Sequence, residues 1–511
     1  MTNPNDMKIA VIGGGISGIA AARMLQKNGF MPVIFEQSER PGGVWALAYP
    51  NVHLQNIDTQ YHISDFPWPF KPDFHPSGEQ ILRYMNEVVA FFKIDLRTKQ
   101  RVVALEEKPD GWLVRTESSQ GIQEEFFGYV IVSSGQYTNG KHRPSFPREQ
   151  QFQGQILTER DIHSLDQFND KRVAVIGFGK SALDMVSFAA PRATQAYHVF
   201  RTARWPIPEF ILGIHATYIL FSRFGSMMVP AWAQPSAPER FLHNQMRGFV
   251  GSFWQMIAKV FRFQLTRGIK IKDQAARERI KTVQPAHGLV PDMRSAIAMA
   301  PEGYYPAVAD GRIQPHRSEL IGFSAQGIVL KDGREIACDM VILSLGSEMP
   351  TFPFLPQNYR QLLEAETDGA QLYRHLIHPR IPRMGFAGFN HGFMHIPSVE
   401  VGTLWLCAVL RGELELPSPE AQEQTIERIR AWKRQHIHFE PSRSCAVNTR
   451  YQQYIDMLLL DLGLSPYRKL PNIFAEIFAR YTAWDYHDVL EDYEHKRAVR
   501  NAPLKPQPFD T

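Results

Sequence analysis

The sequence predicts an α/β protein with two Rossmann-like domains, a helical insertion and a helical C-terminal region. Three observations predict it. Residues 8–36 read as strand, G-x-G-x-x-G turn (Gly13, Gly15, Gly18), helix and strand, ending on an acid, Glu36. Residues 172–201 repeat that series, with Gly177, Gly179 and Ala182 at the turn and Arg201 at the end. Each series leads through a meander into an apolar strand that stops at glycine: YVIVSSG ending at Gly135, and MVILSLG ending at Gly346. The same parts in the same order, twice, are most economically two copies of one fold.

Each part has a physical reason. In the strand Lys8 to Ile12, Ile9 to Ile12 is an unbroken apolar run, as a strand buried on both faces requires. In the turn that follows, one glycine makes the sharp bend, one lets backbone approach a pyrophosphate, and one packs the helix on the sheet. The helix from Ser17 to Asn28 aims its N-terminus and dipole at that phosphate, and Gly29 ends it. Pro41-Gly42-Gly43-Val44-Trp45 is a second tight turn that brings backbone close to a flat or charged group. Residues 51–70 read as an ordered loop, and 77–93 as a helix capped by Ser77 with Ile81, Tyr84, Met85 and Val88 on one face. Residues 101–132 read as a meander with turns at Asp110-Gly111 and Ser118–Gly121, and 138–171 as a polar connection. Asp332-Gly333 marks a hairpin.

Further along, 205–300 is rich in aromatics and methionine and reads as helices inserted into the second fold, either a lid over the site or an interface. A long helix is expected to end near Leu410, and another from Ser418-Pro419 to about His436. Tyr451, Tyr454, Ile455, Leu458, Leu459 and Leu462 fall on one helical stripe and read as core. The expected division is 1–154 with 347–511 for the first domain, and 155–346 for the second, carrying the insertion at about 205–300.

Composition narrows the classes. With 511 residues, 44% apolar and 21% charged, the chain has room for two or three domains of ordinary globular character. A net charge of +4 is too small to argue for nucleic acid or a membrane surface. Cys338, Cys407 and Cys445 are far apart, so neither a redox disulfide nor a zinc site is expected. His391 and His395 are four apart but lack a nearby third ligand, so no metal is expected there either. No signal peptide is visible, and Phe210–Phe221 is too short to span a bilayer. A cytoplasmic enzyme is the expectation, with a homo-oligomer left open.

The two strand ends separate the two sites. Glu36 and Arg201 stand at closely similar offsets from Gly13 and Gly177, and are expected to hold equivalent places with opposite charge. A carboxylate suits free ribose hydroxyls, whereas a guanidinium suits a 2′-phosphate. The first site is therefore expected to take FAD and the second NADPH, with Lys180, Ser181, Thr202 and Arg204 near the phosphates. Without a cysteine pair to accept electrons from reduced flavin, molecular oxygen or a quinone-like acceptor remains.

At this point the sequence resembles the flavin-containing monooxygenases. The resemblance rests on GGGISG (13–18), Glu36, PGGVW (41–45), SDFPWP (64–69), GFGKSA (177–182), FRTARW (200–205) and VILSLG (341–346). It implies FAD and NADPH as cofactors, and O2 and a lipophilic small molecule as partners. It also implies a C4a-hydroperoxide that oxygenates a soft nitrogen or sulfur, or a ketone in the Baeyer–Villiger relatives, and cofactor contacts from Ser17, Gly43, Val44, Trp45 and Asp65. The catalytic amide of such enzymes falls on Gln55 or its neighbour Asn56. Two departures are visible: Thr158 stands where the linker histidine is expected, and Ile162 where an aromatic is expected. An NADPH oxidase releasing hydrogen peroxide stays open.

Overall fold

The computed structural model describes residues 7–229, 235–269, 271–295, 298–390, 392–437 and 450–508. Two five-stranded parallel sheets organise it. The first runs in the order Met384–Phe386, Tyr129–Val132, Lys8–Ile12, Met31–Phe35, Asp95–Arg97. The second runs Gln155–Leu157, Met340–Leu343, Arg172–Ile176, Gln195–Phe200, Ile313–Arg317. Strand for strand they correspond, and each carries a three-stranded antiparallel meander just ahead of one inner strand, Tyr129–Val132 in the first and Met340–Leu343 in the second. The one topological difference is the edge strand, which comes from far downstream in the first sheet and from just upstream in the second.

The sequence explains these elements locally. Both central strands are apolar and buried, as covered parallel strands must be. The helix Gly78–Phe91 begins on a capping box, Ser77 Oγ accepting from Gln80 N while Gln80 accepts from Ser77 N. The helix His395–Leu410 is apolar all round, so it must be buried all round. It lies in a core shared with Ile16–Lys27 and Tyr451–Asp461, where Tyr451, Tyr454, Ile455, Leu458, Leu459 and Leu462 are all buried. Within that core the Arg374 guanidinium meets Asp461 at 2.9 Å, and Trp405 Nε1 donates to the same carboxylate. The pair is buried on both sides and fully hydrogen-bonded, the condition under which a buried ion pair persists.

The inserted segment builds a core of its own from Trp205, Ile207, Ile211, Trp254, Phe261, Leu289 and Met293. It is tied down on two sides. Arg223 binds Asp456 at 2.5 Å and Glu476 at 2.6 Å in the C-terminal region. On the other side its strand Ala298–Met299 is held by the first fold, Met299 N donating to Gln55 Oε1 at 2.9 Å. The two crossings between the folds run side by side: His142 N donates to Gly346 O, and Glu348 N to Gly140 O. Among the described residues no helix is long and apolar enough to cross a membrane.

Candidate functional site

The two glycine turns superimpose in their logic. Gly13 (φ 115°) and Gly177 (φ 131°) both adopt backbone that favours glycine, and a Cβ on either would lie 2.4 Å from a carbonyl, that of Ser133 or Ser344. Those two glycines are required by the fold. Gly15 and Gly179 are not. Gly179 has no protein atom within 4 Å of its would-be Cβ, and Gly15 would make only an ordinary 3.5 Å contact with Gly43 Cα. Each sits at the N-cap of its helix in extended backbone that any residue adopts. Space is thus kept clear at both helix N-termini, where amides and dipole favour an anion, and a pyrophosphate fits it.

Around the first turn, Gly42 N donates to Gly14 O, so the Pro-Gly-Gly turn packs directly on the glycine loop. Gly43 opens the short helix Gly43–Leu47, in which Val44 is exposed and Trp45 Nε1 donates to Tyr61 OH at 2.9 Å. Glu36 is buried, its two oxygens accepting from Gly14 N (2.7 Å) and Ser38 N (2.8 Å). That fixes the carboxylate beside the turn with lone pairs left for further donors. Gly135 and Gly346 each stand three residues past the end of the two matching strands, with left-handed backbone.

Several expected residues have other employment. Asp65 is bound to Arg23 (2.8 Å) and Lys27 (3.2 Å) on the distal half of the first helix, away from its N-terminus, so it braces the loop and is not at the phosphate turn. Lys180 Nζ folds back onto Asp184 at 2.6 Å, which also accepts from Tyr49 OH at 2.8 Å, so its charge is already paired. Arg204 reaches the buried Asp292, which also holds Trp205 N and His287. Ser181 lies in the first turn of the second helix, partly buried.

The register of the second strand end also differs from expectation. Ile12 pairs Phe35 and Ile176 pairs Val199, so Glu36 corresponds to Phe200 and Arg201 to Gln37. Arg201 therefore stands one residue further out. Its side chain is 78% exposed and 3.7 Å from Glu319, and Thr202 beside it is exposed.

The amide ambiguity has a geometric outcome. Gln55 is occupied in holding Met299. Asn56 is buried, with Nδ2 lacking any protein partner, an uncommon state for a buried donor. Thr158 serves as a cap: with Asp161 it closes a capping box on Glu159–Asp161, its hydroxyl donating to Asp161 at 2.8 Å. Ile162 is core of the second fold.

One contact escaped sequence reasoning. Ser17 Oγ lies 2.7 Å from His395 Nε2, linking the first turn to the start of the long buried helix. Burial holds His395 down to about 4, so it is neutral. Gly388 makes room for that contact, since a Cβ there would lie 2.4 Å from Ser17 Oγ. The only hint was a histidine next to a glycine-rich turn; its partner His391 lies outside the described residues. Asn390, also buried, has an Oδ1 without a partner. A separate cavity of about 430 Å³ lies inside the insertion, lined by Val250, Trp254 and Leu289 among others, and includes neither glycine turn.

Comparison with known proteins agrees with this geometry. The sequence profile of the family described as "FMO-like: Flavin-binding monooxygenase-like" matches residues 6–247 and 304–476. The chain belongs to that family, and is an FAD- and NADPH-dependent oxidoreductase of the monooxygenase class. It is 27% identical to the "Probable flavin-containing monooxygenase 1" of Arabidopsis thaliana, over 96% of this chain and 98% of that one. It is 28% identical to the "Dimethylaniline monooxygenase [N-oxide-forming] 2" of Cavia porcellus, over 90% and 83%. Among solved structures, the S-allyl-L-cysteine S-oxygenase of Allium sativum shares the fold with a TM-score of 0.63 at 18% identity, over 97% and 94%. A cyclohexanone monooxygenase with bound ε-caprolactone does so with 0.64 at 18%, over 97% and 99%. The unmatched stretch between the two matched segments, 248–303, covers the greater part of the insertion.

Proposed function

We propose that this enzyme uses NADPH and O2 to place one oxygen atom on a soft nitrogen or sulfur of a lipophilic small molecule. The observation that carries the proposal is the pair of cleared helix N-termini at Gly15 and Gly179, one in each fold, with the unpartnered Asn56 amide on the loop that the insertion covers. Residues 1–154 with 347–511 form the FAD half and 155–346 the NADPH half. When bound, the flavin supplies the chemistry that joins two-electron reduction by NADPH to activation of O2.

The chain's own residues bind, orient and exclude water. Gly13, Gly15 and Gly18 with the amides of their helix hold the FAD pyrophosphate, and Glu36 accepts from the adenosine ribose. Ser17, oriented by His395, and Gly43, Val44 and Trp45 flank the same cofactor, with Gly135 closing the turn from behind. Gly177, Gly179 and Ser181 serve the NADPH pyrophosphate, and Arg201 with Thr202 the 2′-phosphate; Gly346 mirrors Gly135. Asn56 donates its free N–H toward the flavin–nicotinamide region, and Gln55 keeps the insertion seated above it. Exclusion of water by that cover favours transfer of oxygen over release of hydrogen peroxide.

The name of one curated relative, the N-oxide-forming dimethylaniline monooxygenase, supports nitrogen as the acceptor atom. Thr158, tied up as a cap in place of the linker histidine, favours a second reading, an NADPH oxidase. The deciding experiment follows NADPH oxidation by the purified yellow protein under 18O2 with amines, sulfides and ketones. Substrate-accelerated turnover with one labelled atom in an N- or S-oxide is expected. Label in an ester from a ketone would move the assignment to Baeyer–Villiger chemistry, and hydrogen peroxide equal to NADPH with every substrate would move it to the oxidase.

A further inference from the structure

The inserted hairpin meets the first fold at a pair of histidines. His215 lies on the strand Ile214–His215, and His75 on the loop that precedes the Ser77 cap. Their Nε2 atoms are 3.3 Å apart. Glu209 joins them, Oε1 lying 3.9 Å from His215 Nε2, and one ligand atom from each of the three falls within 4.8 Å of the others. We propose that His75, His215 and Glu209 form a divalent transition-metal site, best suited to Zn²⁺, that clasps the insertion to the loop carrying Asn56.

Two features of the cluster argue for it. Two nitrogens bound tetrahedrally at zinc–nitrogen distances of about 2.0–2.1 Å are about 3.3–3.4 Å apart, the separation found here. Both rings are fixed from behind. His75 Nδ1 is within hydrogen-bonding reach of Leu54 O (3.1 Å) and Asn56 O (3.0 Å), carbonyls that only accept, so its proton sits on Nδ1 and Nε2 keeps a free lone pair. That backbone-carbonyl support is the usual orientation device for a ligating histidine. His215 Nδ1 lies 2.8 Å from Thr217 Oγ1 and accepts from Thr217 N at 3.3 Å, so metal binding at Nε2 would move the ring proton to Nδ1, where Thr217 Oγ1 can accept it; Phe74 and Phe210 pack edge-on against the ring.

Glu209 supplies the third ligand and the charge. Its side chain is half exposed and reaches toward His215, so it can close the remaining distance. Two histidines and one carboxylate leave a fourth position for water. The ligands come from positions 75, 209 and 215, which is why spacing along the chain gave no sign of them. Because His75 also holds Asn56 O, the metal would brace the segment whose amide faces the cofactors.

The competing account is an N–H···N hydrogen bond between two neutral rings. Equilibrium dialysis of the flavin-loaded protein against Zn²⁺, after chelator treatment, separates the two when metal and flavin per chain are both measured. The wild type is expected to bind one zinc per chain. Zinc-edge X-ray absorption should then show two imidazoles at about 2.0–2.1 Å. His215→Asn should lower affinity at least about a hundredfold and Glu209→Gln about tenfold, with flavin content unchanged. Zinc should also slow proteolytic cutting in the hairpin around Leu212 in the wild type alone. No zinc on the wild type, or equal zinc on both variants, overturns the proposal. Should His215→Asn lose flavin, the surface variant Glu209→Gln decides, since its side chain carries no part of the fold.

Discussion

The two glycine turns share one backbone and differ in what stands behind it. In the first fold Gly14 N donates to Glu36, and a Cβ on Gly14 would lie 3.0 Å from that side chain. In the second the corresponding pair is Phe178 and Phe200, rings 4.6 Å apart and edge to face, with His198 stacked on Phe178. The acid and the space beside it have been replaced by a hydrophobic plug. The cation sits on the next residue, Arg201, which faces solvent. Under the proposed assignment of NADPH to the second fold, selecting a phosphorylated ribose takes two changes. One removes a buried acceptor, and the other sets a guanidinium outside the strand end where a dianion can reach it without crossing the core.

The largest effect is expected from the cleared positions. Gly15→Ala should fold, since its Cβ would make an ordinary contact, but place a methyl in the phosphate cradle and leave the protein at least about tenfold depleted of flavin. Gly179→Ala should stay yellow and lose reduction by NADPH instead. Flavin content and anaerobic reduction of both variants test the pair. If either variant lost both cofactors equally, the assignment of one cofactor to each fold would fail.

Next comes the strand end. Removing the Arg201 guanidinium takes away a charge-assisted contact of about 1.5–3 kcal/mol, or about tenfold to a hundredfold in NADPH affinity. NADH should be almost unaffected. The side chain is mostly exposed, which places the expectation at the lower end and makes it salt-dependent. Steady-state reduction with both coenzymes at two ionic strengths checks it; equal loss of both would place Arg201 elsewhere.

The smallest effect concerns the third turn position. A Cβ on Gly18 would lie 2.0 Å from Gly13 O, whereas Ala182 already carries one, fully buried. Gly18→Ala should cost about 1–3 kcal/mol through forced backbone movement. Ala182→Gly should cost only about 0.5–1 kcal/mol, the ordinary penalty for glycine in a helix. Thermal unfolding of the flavin-depleted proteins compares them directly.

Much of this was legible in the sequence because it is written locally. The glycine turns, the Ser77 cap, the Asp332-Gly333 hairpin and the Tyr451 stripe each depend on residues within a few positions of one another. What was not legible depends on partners far away in the chain. Asp65 cannot be taken from the phosphate side without knowing that Arg23 and Lys27 face it. Gln55 and Asn56 are equal candidates until Met299 is seen to occupy one of them. The Ser17–His395 contact joins the two ends of the first fold. The misplacement of Arg201 is a one-residue error of register, the kind that pattern alone does not fix and strand pairing does.

The edge strand of the first sheet has a consequence for how the molecule is made. All strands of the second sheet lie between Gln155 and Leu343, so they have been synthesised before Met384–Phe386 exists. The first sheet, begun at Lys8, waits for that strand and for the long buried helix that ends at Leu410. The half that leaves the ribosome first is thus the half that finishes last. Its apolar strand Tyr129–Val132 stays open on one side while its neighbour folds. During that interval the nascent chain carries an unpaired sheet edge, and the encounter a chaperone would have to prevent is with another chain's identical edge.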